Sequence, residues 1–339
     1  MKYFLFTFLI LFQIILKLNF LFPKEVSKIC EIKLKIKGTG LQFILGSSNY
    51  FKLPDEIYLG KSKIGKISNF INLTENENTI ILRWNSTFQN CRDMFSKCSN
   101  ITEIDFSSFN NSDLDDISYM FSGCTSLTSI NFSRFNTSNI TSLYYTFKDC
   151  INLVSLDLSN FNTSIVDDMG YMFYNCTSLT SLDLSNFNKI KLVYMDYMFS
   201  YCGNLSFLDI SSFKTPKVQY SAWMFYDCKS LTSLNFPNFN ANRLKEYFDM
   251  FYNCTNLKYI NFSNTYDNSK LNNIFKQIRK EIIVCINETK APKLYSKLIE
   301  LNSTSINCSY IPPCRYYHYY DNEEKNVQRV KNAQKNIIN

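Results

Sequence analysis

Seven cysteines recur at a single interval. Cys98, Cys124, Cys150, Cys176, Cys202, Cys228 and Cys254 each stand 26 residues from the next. A spacing held through six gaps makes each unit one structural turn stacked on its neighbours, because no unit of that size buries its own apolar face. The flanking residues keep the same register. Phe95, Phe121, Phe147, Phe173, Phe199, Phe225 and Phe251 lie three places before a repeat cysteine, each preceded by Met except where Thr146 stands. Positions are counted below from the repeat cysteine, negative before it and positive after it.

Apolar residues follow at +3, +6, +8 and +11, as in Leu179, Leu182, Leu184 and Phe187. The alternation of Leu182 and Leu184 around Asp183 has the period of a strand, with +6 and +8 inward and +5, +7 and +9 outward. Before the cysteine the period changes. Met169, Met172, Phe173 and Cys176 stand at i, i+3, i+4 and i+7, which predicts a short helix capped by Thr163 or Ser164. The expected fold class is an α/β solenoid. It is a right-handed coil of about seven turns, with a parallel sheet on one face and short helices on the other.

The unit Met172-Phe-Tyr-Asn-Cys-Thr-Ser-Leu-Thr-Ser-Leu-Asp-Leu-Ser-Asn-Phe-Asn188 resembles the BspA-type leucine-rich repeat, over about residues 85–263. Departures are Thr146 for Met, Pro237 for Ser, and Ser221 where other turns carry Met, Leu or Ile. The resemblance implies a surface or secreted protein involved in adhesion.

The chain divides into a signal peptide or signal-anchor at 1–22, an N-terminal β cap at 28–84, the solenoid at 85–263, a C-terminal cap at 264–314 and a polar tail at 315–339. The first segment follows from Lys2 and the apolar run Tyr3–Leu16. A cleaved leader and a retained anchor both fit it, and such an anchor is the one membrane contact expected. Glu31–Lys37 and Thr79–Trp84 alternate as strands. Ile282–Ile286 reads as an apolar strand, and Lys270–Lys280 and Lys293–Leu301 have helical spacing. Fifteen Asn-x-Ser/Thr acceptors agree with an exported glycoprotein.

The repeat cysteines lie on the apolar face without a Cys-x-x-Cys or a histidine partner, so buried thiols are the leading reading, ahead of disulfides within the column and of metal. Of the other five, Cys285 with Cys308 is the first disulfide candidate, Cys30 with Cys91 the second, and Cys314 is left over. The candidate binding face is the outward side of the sheet. Its +7 column is Asp105, Asn131, Asp157, Asp183, Asp209, Asn235 and Asn261. Phe207 and Tyr259 interrupt the serines of the +5 column as aromatic anchors. The +7 column reads as a solvated polar ladder, with calcium binding as the minor alternative.

Catalysis has little support. The one histidine, His318, lies outside the repeat, no nucleophile–base pair forms within it, and Asp115, Asp116, Asp167 and Asp168 sit where helix starts favour carboxylates. No cofactor is expected. Residues 91–263 carry 12 basic and 16 acidic side chains, which is not a nucleic-acid footprint. The function expected is recognition of a protein or glycan by a secreted or surface protein across a concave sheet. The rivals are a coat or matrix protein and a truncated receptor ectodomain.

Overall fold

Alternating residues build the N-terminal end. The computed structural model describes residues 29–110, 112–187, 191–266, 274, 282–300 and 304–307. The export segment, Cys308, Cys314, His318 and the polar tail lie outside them. Strand β1 (Cys30–Lys37) buries every second side chain. It pairs antiparallel along its length with β6 (Glu77–Trp84). Strands β3 (Glu56–Leu59) and β4 (Ser62–Ile64) extend that sheet, while β2 (Gly40–Phe43) and β5 (Phe70–Leu73) form a separate ribbon. The free edge of β1 receives β7 (Ile101–Asp105) antiparallel, with a register shift between Lys35 and Ile36. The first coil strand is thereby covered and offers no open edge.

From β7 onward the pairing is parallel. β8 (Ser129–Asn131) lies on β7 with Glu103 opposite Ser129. A second sheet holds β9 (Phe207–Asp209), β10 (Ser233–Asn235), β11 (Tyr259–Asn261), β12 (Ile283–Ile286) and β13 (Thr304–Asn307). Its first pairings join residues 26 apart, then Tyr259 meets Ile283, 24 residues on, and Ile283 meets Thr304 after 21. The coil perimeter thus shortens toward this end, where helix α1 (Pro292–Glu300) fills the last connection. Between β8 and β9 the +5 to +7 positions of two coils, Ser155–Asp157 and Ser181–Asp183, are not paired as strands. There Leu182 is only partly buried, unlike Leu208 and Leu234.

The expected helices are absent from the described coils. Met169, Met172, Phe173 and Cys176 are buried, as their spacing requires. The backbone around them is a chain of turns. Met172, Tyr174 and Cys176 donate their N–H groups three residues back, to Met169, Tyr171 and Phe173. Met169, Tyr171, Phe173 and Asn175 donate instead to the next coil, to Tyr194, Asp196, Met198 and Ser200 at 2.8–2.9 Å. This alternation needs a left-handed residue at −5 and at −1. Every described non-glycine residue with positive φ is at one of those positions, from Asp93 (59°) to Asn253 (58°). An L-residue at such a φ cannot continue a right-handed helix, and seven-residue helices have little stability alone. Consecutive turns point the same residues inward, so the periodicity was right about burial and wrong about hydrogen bonding.

Three aromatic columns run along the stack. The −3 phenylalanines are buried and stacked at 5.4–6.0 Å. Those at +11 stack at 5.5 Å for Phe109–Phe135 and 6.1 Å for Phe135–Phe161 and Phe187–Phe213. At −5, Tyr119, Tyr145, Tyr171, Tyr197 and Trp223 stack at 4.4–4.8 Å.

Candidate binding surfaces

The outward +7 column has a structural occupation. The side-chain oxygens of Asp105, Asn131, Asp157, Asp183, Asp209 and Asn261 accept the N–H of Ser107, Ser133, Ser159, Ser185, Ser211 and Ser263 at 2.9–3.0 Å. Each closes an Asx turn that directs the chain out of the strand. Asn235 differs because Pro237 follows it, and proline has no N–H to give. Its oxygen accepts Asn261 Nδ2 at 2.7 Å instead, and Asn131 bridges in the same way to Asp105 at 2.9 Å. The Ser159 hydroxyl and N–H hold Asp157 below the usual carboxylate range.

Phe207 and Tyr259 flank Ser233 on three paired strands. Phe207 is 49% exposed and Tyr259 half-buried. They share a face about 10 Å apart. At the other end Lys33, Lys35, Glu103, Asp105, Ser129 and Asn131 line a shallow groove of about 280 Å³, in which Lys35 pairs with Glu103 at 2.7 Å.

The repeat cysteines are free and buried. From Cys124 to Cys254 each thiol donates to the carbonyl of the −3 phenylalanine one coil back, at 3.0–3.2 Å. Burial raises these thiols, to about 12 for Cys98, Cys202 and Cys254, so they are poor nucleophiles and ligands. Cys91 is a free, buried thiol, so the expected Cys30–Cys91 disulfide is not formed; Cys30 donates to the carbonyl of Asn110 at 3.0 Å. Cys285 is disulfide-bonded, and Cys308, its expected partner, lies outside the described residues. Among the described residues no group of three or more His, Cys, Asp or Glu is placed to hold a metal.

The surface that sequence reading missed is the tyrosine corner. The expected helix would have set −5 and −2 apart from the function. The turns instead bring −8, −6, −5, −2 and −1 to one outward corner. Tyr174 touches Tyr171, Tyr197 and Tyr201 within 5.4–6.1 Å, and Tyr201 and Tyr226 continue the network at 5.3 Å. Cations already sit on these rings. Arg92 lies 5.0 Å from the Tyr119 centroid, Lys148 5.4 Å from those of Tyr145 and Tyr174, and Lys245 5.6 Å from that of Tyr220. The carboxylates thought to mark helix starts serve the turns: Asp116 accepts Ser118 N and Asp168 accepts Gly170 N, both at 2.8 Å. Asp196 accepts Ala222 N at 2.9 Å. Burial raises Asp168 and Asp196 to about 6, and Glu246 and Asp168 add repulsion at Asp196. The signal for this corner was present in the sequence as the column Tyr119, Tyr145, Tyr171, Tyr197, Trp223.

No curated protein matches this chain. Among solved structures, a leucine-rich repeat protein from Bacteroides ovatus aligns with 76% of this chain and 82% of its own, at 16% identity and a TM-score of 0.28. That likeness is too distant to carry any residue across. The profile of a family described as "Mycoplasma protein of unknown function, DUF285" matches residues 59–156, 89–207 and 141–265. The matches overlap, as one profile sliding along a repeat must, and together they cover the coil stack and more than half of the chain. The chain belongs to the DUF285 family.

Proposed function

We propose that this protein is a secreted or cell-surface interaction protein whose coil stack presents a rigid recognition surface to a protein or glycan. One observation carries the reading: the outward columns are fixed coil to coil by backbone hydrogen bonds. A surface ordered in advance loses little conformational entropy on binding. The exposed aromatics of the sheet and of the corner supply contact area of the kind that dominates interfaces. The N-terminal apolar run and the acceptor asparagines support export, and adhesion follows from the BspA resemblance.

The test is mass spectrometry of the protein recovered from medium, washed cell surface, membranes and cytosol. A mature N-terminus beyond residue 22 in the medium or on the surface is expected, as is Met1 retained in the membrane fraction if the segment is an anchor. Intact Met1 confined to the cytosol would overturn the reading.

A further inference from the structure

Residues 167–175, 193–201 and 219–227 form the middle of the corner, and their composition is one-sided. They hold eight outward aromatics (Tyr171, Tyr174, Tyr194, Tyr197, Tyr201, Tyr220, Trp223 and Tyr226), four aspartates, and no lysine or arginine. The whole chain is net positive, at +7, so this patch is not the average surface repeated. Asp168 and Asp196 have no ion-pair partner among the described residues, whereas Asp149 and Asp227 pair with Lys148 and Lys229.

The molecule itself shows what such rings accept. Where its own cations reach the corner, they settle on tyrosines: Lys148 on Tyr174 at one end of the patch and Lys245 on Tyr220 at the other. Between these ends Tyr201 has no lysine or arginine over it among the described residues, while Tyr197 is stacked on both faces, by Tyr171 at 4.4 Å and Trp223 at 4.8 Å. Tyr174 and Tyr201 meet edge to face, so their ring faces are not consumed by stacking on one another. Aromatic rings beside carboxylates attract ammonium and guanidinium groups through both the ring quadrupole and the net charge. Anionic ligands would be repelled.

We propose that this patch docks a lysine- or arginine-bearing segment of a partner protein. The proposal rests on the interaction reading above and names the partner's chemistry. A cationic side chain would lie across Tyr201 and approach Asp168 and Asp196, continuing the line that Lys148 and Lys245 begin.

Trp223 is a built-in reporter, since it is half-buried within the patch while the other tryptophan, Trp84, is fully buried. An Arg-Ser repeat peptide and its citrulline counterpart are titrated into the full chain, following fluorescence. The expected result is a saturable change with the arginine peptide that Trp223→Phe abolishes. Binding is at least tenfold weaker for the citrulline peptide and for the Asp168→Asn/Asp196→Asn variant, whose side chains keep an acceptor oxygen for Gly170 and Ala222. Asp157→Asn/Asp183→Asn on the sheet leaves binding unchanged. No saturable change, equal binding of the citrulline peptide, or equal weakening by the sheet variant would overturn the proposal. So would tenfold tighter binding once Lys325, Arg329, Lys331 and Lys335 are changed to glutamine, since the chain's own C-terminal segment would then be the occupant. A silent titration of a protein found on the surface sinks the occupant and leaves the interaction reading standing.

Discussion

The thiol of Cys176 donates to the carbonyl oxygen of Phe147 at 3.1 Å, and that oxygen also accepts the N–H of Cys150 at 3.2 Å. Cysteine is small enough for the column and carries one weak donor that uses the carbonyl's second lone pair. Cys176→Ala removes the bond and leaves a small void. It is expected to lower stability by about 1–2 kcal/mol, read from denaturant unfolding.

The thiols also set an alkaline limit. Their folded pKa values lie above the ordinary 9.0, at about 12 for Cys98, Cys202 and Cys254. Between those values the folded state holds protons that the unfolded chain releases, so this contribution is intact below pH 9 and is lost as pH rises toward 12. Unfolding midpoints taken at pH 8 and pH 11 should show the loss, and a thiol reagent at pH 8 should react with the repeat cysteines only after unfolding.

Tyr171 has φ of 56° and stacks on Tyr145 and Tyr197 at 4.4 Å. Both Tyr171→Ala and Tyr171→Gly lose the stacking, worth about 0.5–1.5 kcal/mol per pair. Glycine alone relieves the backbone, so the alanine variant should be the less stable of the two by about 1 kcal/mol. A helix at this position would give the opposite order, and calorimetry of the pair decides between them.

Asp196 is raised to about 6 from 3.8, chiefly by burial. A raised carboxylate favours the folded state below pH 3.8 and loses that contribution as pH climbs through 6. Asp196→Asn keeps the acceptor for Ala222 and removes the charge. It should stabilise the protein at pH 7, by about 1 kcal/mol after solvent screening, and leave no difference near pH 4.

Ser221 is fully buried, and its hydroxyl has no hydrogen-bond partner among the described residues, in a column where other coils place Met169 or Met195. Ser221→Ala removes an unmet polar group. A gain of about 1 kcal/mol is expected in thermal or chemical unfolding.

What was legible in the sequence was which way side chains face. The buried set at −3, 0, +3, +8 and +11 follows from spacing alone, as do β1, β6, β12 and the approximate span of α1. Backbone bonding was not legible at the corner, because Met169, Met172, Phe173 and Cys176 have the same inward spacing in a helix and in a run of turns. The +7 residues do stand in one outward column, but except for Asn235 their side chains are turn-formers bound to the serine two places on. The tyrosine corner escaped because the segment was read as a helix by its inward residues alone, while the contacts of its outward rings run between coils.

One seam breaks the translational symmetry of this molecule. Any coil carries nearly the same inward residues as the next, so a nascent chain that pairs one unit out of step still buries phenylalanine on phenylalanine and thiol against carbonyl. The antiparallel meeting of β1 with β7, with its shift at Lys35 and Ile36, occurs at one coil and has no copy further along the described stack. It therefore acts as the origin from which coils are counted. Mutations that weaken it should yield phase errors, compact species displaced by whole units, before they yield unfolded chains.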